Sequence, residues 1–376
     1  MKQKIQHYVK QLLPEIMDMN EYLFQHPEAG GKEYLSSAYL CQSLEEHGFC
    51  VIKPYGGLET AFRGEYHCGN GKKIALLAEY DALPGYEGGY GHACGHNWIA
   101  ATCLGAVYAL QNIASEINGS LVVIGTPAEE TTGGKIDLLK AGAFDDIDAV
   151  LQLHLSNETN IDVTTLAMDS IQFDFFGVPS HAAAAPHLGI NALDAVNLMF
   201  AGVNALRGVI QDDARIAGII THGGSACNII VDYASAQFYI RAKKRSYVNE
   251  LSQRMIEIAK GAAMMTRATL DYHYFENSFD ELIYDEQLRT LLKDNLNALG
   301  IHDFVTSQHG GSSDIGNVSQ IVPTVYCELD TMIKPNCYPH QKEFLNHVHG
   351  EASKKSLEIG CSALAMTIYD LLKKEN

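Results

Sequence analysis

Short runs of almost unbroken apolar residues punctuate the chain at Ile74 to Ala78, Leu121 to Gly125, Ala149 to Leu155 and Thr324 to Leu329. Runs of this length and character predict strands buried on both faces. The first forty-odd residues instead carry a helical pattern, interrupted at His26-Pro27-Glu28-Ala29-Gly30-Gly31. Further helices are expected over Asn97 to Leu110 and from about Ala352 to Lys373. Between about 168 and 278 the texture changes. Ile171 to Phe176 and Ser235 to Arg241 partly alternate, as antiparallel strands with one wet face do, and helical stretches run over Asn191 to Leu206 and Tyr247 to Met264. The expected fold is α/β, a mixed and mostly parallel sheet flanked by helices, with an inserted α+β domain. The boundaries are 1–167 and 279–376 for the main domain and 168–278 for the insertion.

The 376 residues suffice for two domains, and 47% apolar content allows a large core. The net charge of −18 repels phosphate backbones and argues against nucleic-acid binding. It leaves room for a small substrate in a local cationic pocket. No apolar run is long enough to span a membrane. The polar start, Met1 to His7, lacks the apolar stretch of an export signal. The nine scattered cysteines are therefore expected as thiols in a reducing cytoplasm.

Each apolar run leads to residues able to do chemistry, and in open α/β sheets sites form beyond the carboxyl ends of the strands. The first leads to Glu79, Asp81, Cys94 and His96, and the second to Glu129 and Glu130. His154 lies near the end of the third, and His340 follows the fourth after a loop. In Gly91-His92-Ala93-Cys94-Gly95-His96-Asn97, an extended backbone would turn the thiol and the imidazole to one side, as a pair of zinc-type ligands. A buried thiol beside a helix-capping histidine reads the same letters equally well. Glu129 and Glu130 would repel each other unless a cation lies nearby. One could then ligate while the other serves as base; a solvated acidic turn is the plain alternative. His154 reads as a ligand or a core histidine. His340 competes with His347 and His349. Asp81 would orient a ligand or cap a turn before Pro84. Together these are the donors that two divalent ions with an open water position require.

No Gly-x-Ser-x-Gly elbow, His-Glu-x-x-His helix, phosphate-binding loop or dinucleotide fingerprint is present. The ordered series His26-Pro27-Glu28, Glu79 to Pro84, Gly91 to Asn97, Pro127 to Glu130, His154, Ser180-His181-Ala182, Asn228, Arg241 and His340 resembles one family over nearly the whole chain. It is that of the co-catalytic metallopeptidases, which include aminoacylase, carboxypeptidase G, auxin-conjugate amidohydrolase and aminobenzoyl-glutamate hydrolase.

The resemblance implies a zinc-exopeptidase-like fold whose insertion is a lid and dimerisation domain. It implies that Cys94 is shared by two ions, in place of the aspartate of the carboxypeptidase branch. His96 and His154 would hold one ion, Glu130 and His340 the other. Glu129 would be the general base, with Asp81 behind the metal site. His181 would contact the scissile carbonyl, often across the dimer, while Asn228 and Arg241 would bind the substrate carboxylate. Read without the family, Arg241 is a strand arginine paired with an acidic neighbour. Gly310-Gly311-Ser312-Ser313-Asp314 also resembles the family pattern and is expected as a loop lining the pocket, or as a structural turn.

The expected protein is a cytoplasmic homodimer or higher homo-oligomer carrying two divalent ions per subunit, zinc or manganese. Its expected activity is hydrolysis of the amide bond of N-acyl amino acids or related small amides. The rival readings are a dipeptidase or carboxypeptidase-type enzyme on the same site, and an inactive binding scaffold.

Overall fold

The structure, a computed structural model, describes residues 1–86, 88–306 and 311–374. The chain forms two compact units. The first begins with Met1–Thr164 and resumes at Leu282 and again at Asp314; the second is Thr165–Glu281 with the short Gly311 to Ser313 stretch.

In chain order the first unit contains helices α1 (Lys2–Gln25) and α2 (Tyr34–Glu46) and strands β1 (Cys50–Ile52), β2 (Phe62–His67), β3 (Lys73–Ala78), β4 (Leu83–Tyr86) and β5 (Gly89–Gly91). Then come α3 (His96–Gln111), β6 (Ser120–Gly125), α4 (Gly134–Lys140) and β7 (Ala149–Ser156). The second unit contains β8 (Ala167–Phe176), α5 (Ala192–Arg207), β9 (Arg215–His222), β10 (Tyr233–Ala242), α6 (Arg245–Thr266) and β11 (Thr269–Tyr274). The first unit ends with α7 (Glu286–Ala298), α8 (Ile315–Ser319), β12 (Thr324–Asp330) and α9 (Gly350–Leu372).

The first unit is built on a six-stranded sheet in the order β1-β2-β6-β3-β7-β12. The pairs β6–β3, β3–β7 and β7–β12 are parallel, while β1 and β2 join antiparallel. Both faces are covered, which is why these strands read as continuous apolar runs. Along β7, Leu151, Leu153 and Leu155 pack with α1, α3 and α9, whereas Val150 packs on the other face with Ile315 and Val318 of α8. The same alternation runs along β3 and β6: Leu76 and Val123 face one side, Leu77 and Ile124 the other. Helix α3 is buried from His96 to Leu110. A helix apolar all round belongs in a core.

The break after α1 has a structural reason. The Glu28 carboxylate accepts the N–H groups of Leu35 and Ser36, at 3.0 and 2.8 Å, at the start of α2. Those amides have no partner within their own helix.

The second unit is a four-stranded antiparallel sheet, β11-β8-β10-β9, with α5 and α6 against one face. Ile171, Phe173 and Phe175 of β8 and Ala236, Phe238 and Ile240 of β10 form its core. The half-exposed Gln172 and Gln237 pair on the other face at 2.9 Å. One covered face and one wet face produce the alternation visible in the sequence.

Candidate active site

Three of the parallel strands deliver their carboxyl ends to one place. Glu79 and Asp81 follow β3, Glu129 and Glu130 follow β6, and His154 lies within β7. The loop after β12 returns so that the His340 N–H donates to the carbonyl of Ala93 at 2.7 Å. That bond sets His340 beside the Gly91-to-His96 segment, and the Tyr86 hydroxyl holds the His340 carbonyl at 2.6 Å.

Cys94 and His96 meet by a different route from the one expected. The segment is not extended: Cys94 lies in a turn, Gly95 adopts φ +80°, and His96 opens α3. Gly95 is needed because the left-handed region is costly for residues with a Cβ.

The donor atoms converge. One atom each from Cys94, His96 and His154 lie within 4.8 Å of one another, as do one each from Cys94, Glu130 and His340, and one each from His96, Glu129 and Glu130. Cys94 Sγ is 3.4 Å from His154 Nε2, and His340 Nε2 is 3.4 Å from Glu130 Oε1. Of the competing histidines, His347 faces Cys337 Sγ at 3.4 Å, and His349 stacks on Phe24 and meets Glu21 at 3.2 Å. Neither appears in the donor groups.

Two imidazoles have their ligand nitrogens fixed by what the opposite nitrogen bonds. His154 Nδ1 lies 2.9 Å from the Leu155 carbonyl, so it carries the proton and Nε2 keeps its lone pair. His96 Nδ1 donates to Asp81 Oδ1 at 2.8 Å, which leaves its Nε2 as the atom turned toward the other donors. Asp81 Oδ2 accepts the Glu130 N–H at 2.9 Å. Asp81 thus ties the loop after β6 to the first turn of α3.

The electrostatics call for cations. Glu79, Asp81, Glu129, Glu130 and Asp314 surround the site, and the buried Lys135 ammonium pairs with Glu79 and Asp314. Burial, then repulsion from Glu130, Glu79 and Asp314, pushes the Glu129 carboxyl well above the usual range. Burial opposes ionisation of Glu130 too, but the nearby His340 and His96 imidazoles outweigh it and hold its carboxyl low. Burial, then Glu130, pushes the Cys94 thiol up. Burial pulls His154 down to about 4, which keeps its ring neutral and ready to ligate. His96 Nε2, Glu130 Oε1 and Glu79 Oε2 are buried without a well-formed hydrogen bond. A thiol, imidazoles and carboxylates with orphaned atoms turned on one another fit divalent ions of the zinc kind.

Backbone geometry marks the same place. Ala128 and His340 have φ of +61° and +71°, uncommon for residues with a Cβ. The buried Glu33 carboxylate holds the Ala128 N–H at 2.9 Å. Glu33 and Lys135 were not among the expected site residues, since nothing local in the sequence marks either as buried. Asp314, expected in a pocket-lining loop or a turn, is instead buried in an ion pair with Lys135. Gly310 lies outside the described residues.

The remaining candidates lie in the second unit. His181 is exposed, and its Nδ1 accepts N–H groups from Ala183 and Ala184 at 3.3 and 3.1 Å. The neutral ring therefore carries its proton on Nε2 and presents a donor. The Asn228 carbonyl accepts the Ala182 N–H at 3.0 Å, which fastens the two segments together. Arg241, in β10, lies over the Tyr239 ring at 5.5 Å.

The model of peptidase family M20/M25/M40 matches residues 75–370. The chain belongs to this family. It is a metal-dependent hydrolase of amide bonds. Among its relatives is the Xaa-Arg dipeptidase of Mus musculus, 33% identical over 373 residues, which cover 95% of this chain and 85% of that protein. One of the chains of the p-aminobenzoyl-glutamate hydrolase of Escherichia coli is 35% identical over 275 residues, or 68% of this chain and 57% of that one. The fold is shared with a solved dinuclear metal binding peptidase of family M20 from Bacillus subtilis, with a TM-score of 0.73, 19% identity and coverage of 96% and 99% of the two chains. Among the described residues no helix is long and apolar enough to cross a membrane.

Proposed function

We propose that this member of the family hydrolyses small N-acyl amino acids or dipeptides at a site holding two divalent ions, zinc or manganese, between Cys94, His96, Glu130, His154 and His340. The observation that carries the reading is the pair of donor groups sharing Cys94, one with His96 and His154 and one with Glu130 and His340. A thiolate ligand favours the softer metals. Bound there, the ions would supply Lewis-acid polarisation of the scissile carbonyl and acidify a water.

The chain's own groups supply the rest. Glu129 takes the proton of the attacking water and passes it to the leaving amine. Asp81 keeps the His96 tautomer and the Glu130 backbone in place. His181 offers its Nε2–H to the developing oxyanion, and Asn228 and Arg241 bind a substrate carboxylate. The exposed Ile219 and Ile220 on the sheet-edge strand β9 support a homodimer formed through the second unit. All nine cysteines are unpaired, which supports a cytoplasmic enzyme.

The substrate test compares N-acetyl amino acids, p-aminobenzoyl-glutamate and Xaa-Arg dipeptides with zinc or manganese restored. The dipeptidase reading is favoured by the identity spread over 95% of the chain. The net charge of −18 also attracts a cationic residue. A higher kcat/KM on Xaa-Arg than on any acetylated amino acid selects it. No turnover of any amide by fully loaded protein refutes hydrolysis and favours a scaffold.

A further inference from the structure

One group of carboxylates next to the proposed metal site already holds a cation, and that cation belongs to the chain. Oxygens of Glu79, Glu129 and Asp314 lie within 4.8 Å of one another, a spacing that would suit an ion. Lys135 is completely buried, and its Nζ donates to Glu79 Oε1 at 2.5 Å and to Asp314 Oδ1 at 2.6 Å. The other Asp314 oxygen accepts the Lys135 backbone N–H at 2.9 Å, so Asp314 grips this residue at both ends. An ammonium has three N–H donors. Two go to Glu79 and Asp314, while Glu129, whose oxygen completes the same group, makes no ion pair with the ammonium.

The local chain is shaped for this placement. Gly133 donates to the Ala128 carbonyl at 2.9 Å, closing the Glu129 turn. A Cβ on Gly134 would lie 2.1 Å from the Pro127 carbonyl oxygen, so only glycine lets α4 begin this close beneath Glu129. The second oxygen of Glu79 lies 3.6 Å from His96 Nε2, which makes the Lys135 cage contiguous with the metal donors.

We propose that Lys135 is a positioning residue whose ammonium fills, in place of a metal ion, the carboxylate cage of Glu79, Asp314 and Glu129, and so leaves Glu129 free to take a proton. The proposal rests on Glu129 being the base. A divalent ion in this cage would ligate Glu129 and withdraw its lone pairs from the reaction. A single-charged, non-coordinating ammonium balances the cage without doing so.

The test is Lys135→Met in the full-length, metal-loaded protein. Bound metal, measured by elemental analysis, is expected to rise above the wild-type content as the vacated cage takes up an ion. Turnover should fall about 10²-fold, the lower range for loss of a general base, with KM little changed. Ammonium or methylammonium ions should restore part of kcat, whereas a purely structural packing defect would not respond to a small cation. Unchanged metal content together with no ammonium rescue overturns the proposal, even if Glu129→Gln is inactive. A raised metal content with wild-type kcat keeps Lys135 as the cage cation but removes Glu129 as the base. Should Lys135→Met not fold, Lys135→Met/Asp314→Asn lowers the cage charge. It is expected to fold with kcat still depressed, and wild-type kcat in that variant also overturns the proposal.

Discussion

Asp81 and Glu130 are joined by a hydrogen bond from the Glu130 backbone N–H to Asp81 Oδ2 at 2.9 Å, while Asp81 Oδ1 holds His96 Nδ1 at 2.8 Å. One buried carboxylate therefore sets the orientation of donors on two separate segments. An amide cannot replace it, because its NH2 group would confront an N–H of either His96 or Glu130. Asp81→Asn is expected to weaken metal affinity about 10- to 100-fold, as loss of a ligand's hydrogen-bond partner does. Competition with a chromophoric chelator measures this; wild-type affinity would remove the role.

Burial and its acidic neighbours push the Glu129 carboxyl up, whereas that of the adjacent Glu130 is held low. Glu129→Gln keeps the shape and removes the base. Turnover should drop by about 10²- to 10⁴-fold, with metal content preserved. A variant that still turns over at the parent rate would exclude Glu129 as the base.

Cys94 belongs to two of the donor groups, so its loss should affect both ions. Elemental analysis of Cys94→Ala is expected to show far less bound metal than the parent protein. His154→Ala should lose less, because His154 belongs to only one group. Equal retention by both variants would contradict the shared role of the thiol.

Gly95 links those ligands at φ +80°, and a Cβ there would stand 3.4 Å from the Leu155 Cβ. The left-handed conformation costs a residue with a Cβ about 1–2 kcal/mol. Gly95→Ala should lower stability by that amount in denaturant unfolding and reduce metal retention. A variant as stable as the parent would show that the turn adapts freely.

Away from the site, Arg63 grips Asp146 through two bonds of 2.7 and 2.8 Å. The hydrogen bond from Arg63, against burial, holds the Asp146 carboxyl well below its ordinary 3.8. A lowered folded-state pKa adds stability that is fully present above the unfolded value and lost as pH falls. Because Asp146 is partly exposed, solvent screening keeps its share to about 1 kcal/mol or less. Asp146→Asn should therefore be destabilised at neutral pH and converge on the parent in strong acid. A gap between the two that persists or widens in acid would contradict this.

Much of the molecule was legible in the sequence because the relevant forces are local. A strand covered on both faces must be apolar at every position, so Ile74 to Ala78 and Ala149 to Leu155 declared themselves. Gln172 and Phe173 alternate because one face of the second sheet is wet. The chemistry of the donors was also legible, since thiol, imidazole and carboxylate residues cluster where strands end. Which donors meet was not. His340, His347 and His349 are equivalent as letters, and the bonds that seat the His340 backbone against Ala93 and Tyr86 decide among them. Lys135 looks like any surface lysine until strand order brings Glu79 and Asp314, 56 and 179 positions away, around it. The sequence by itself determined the sheet and the kinds of ligand. Contacts between segments distant along the chain decided the site, because they depend on how strands and loops stack in space and not on local spacing.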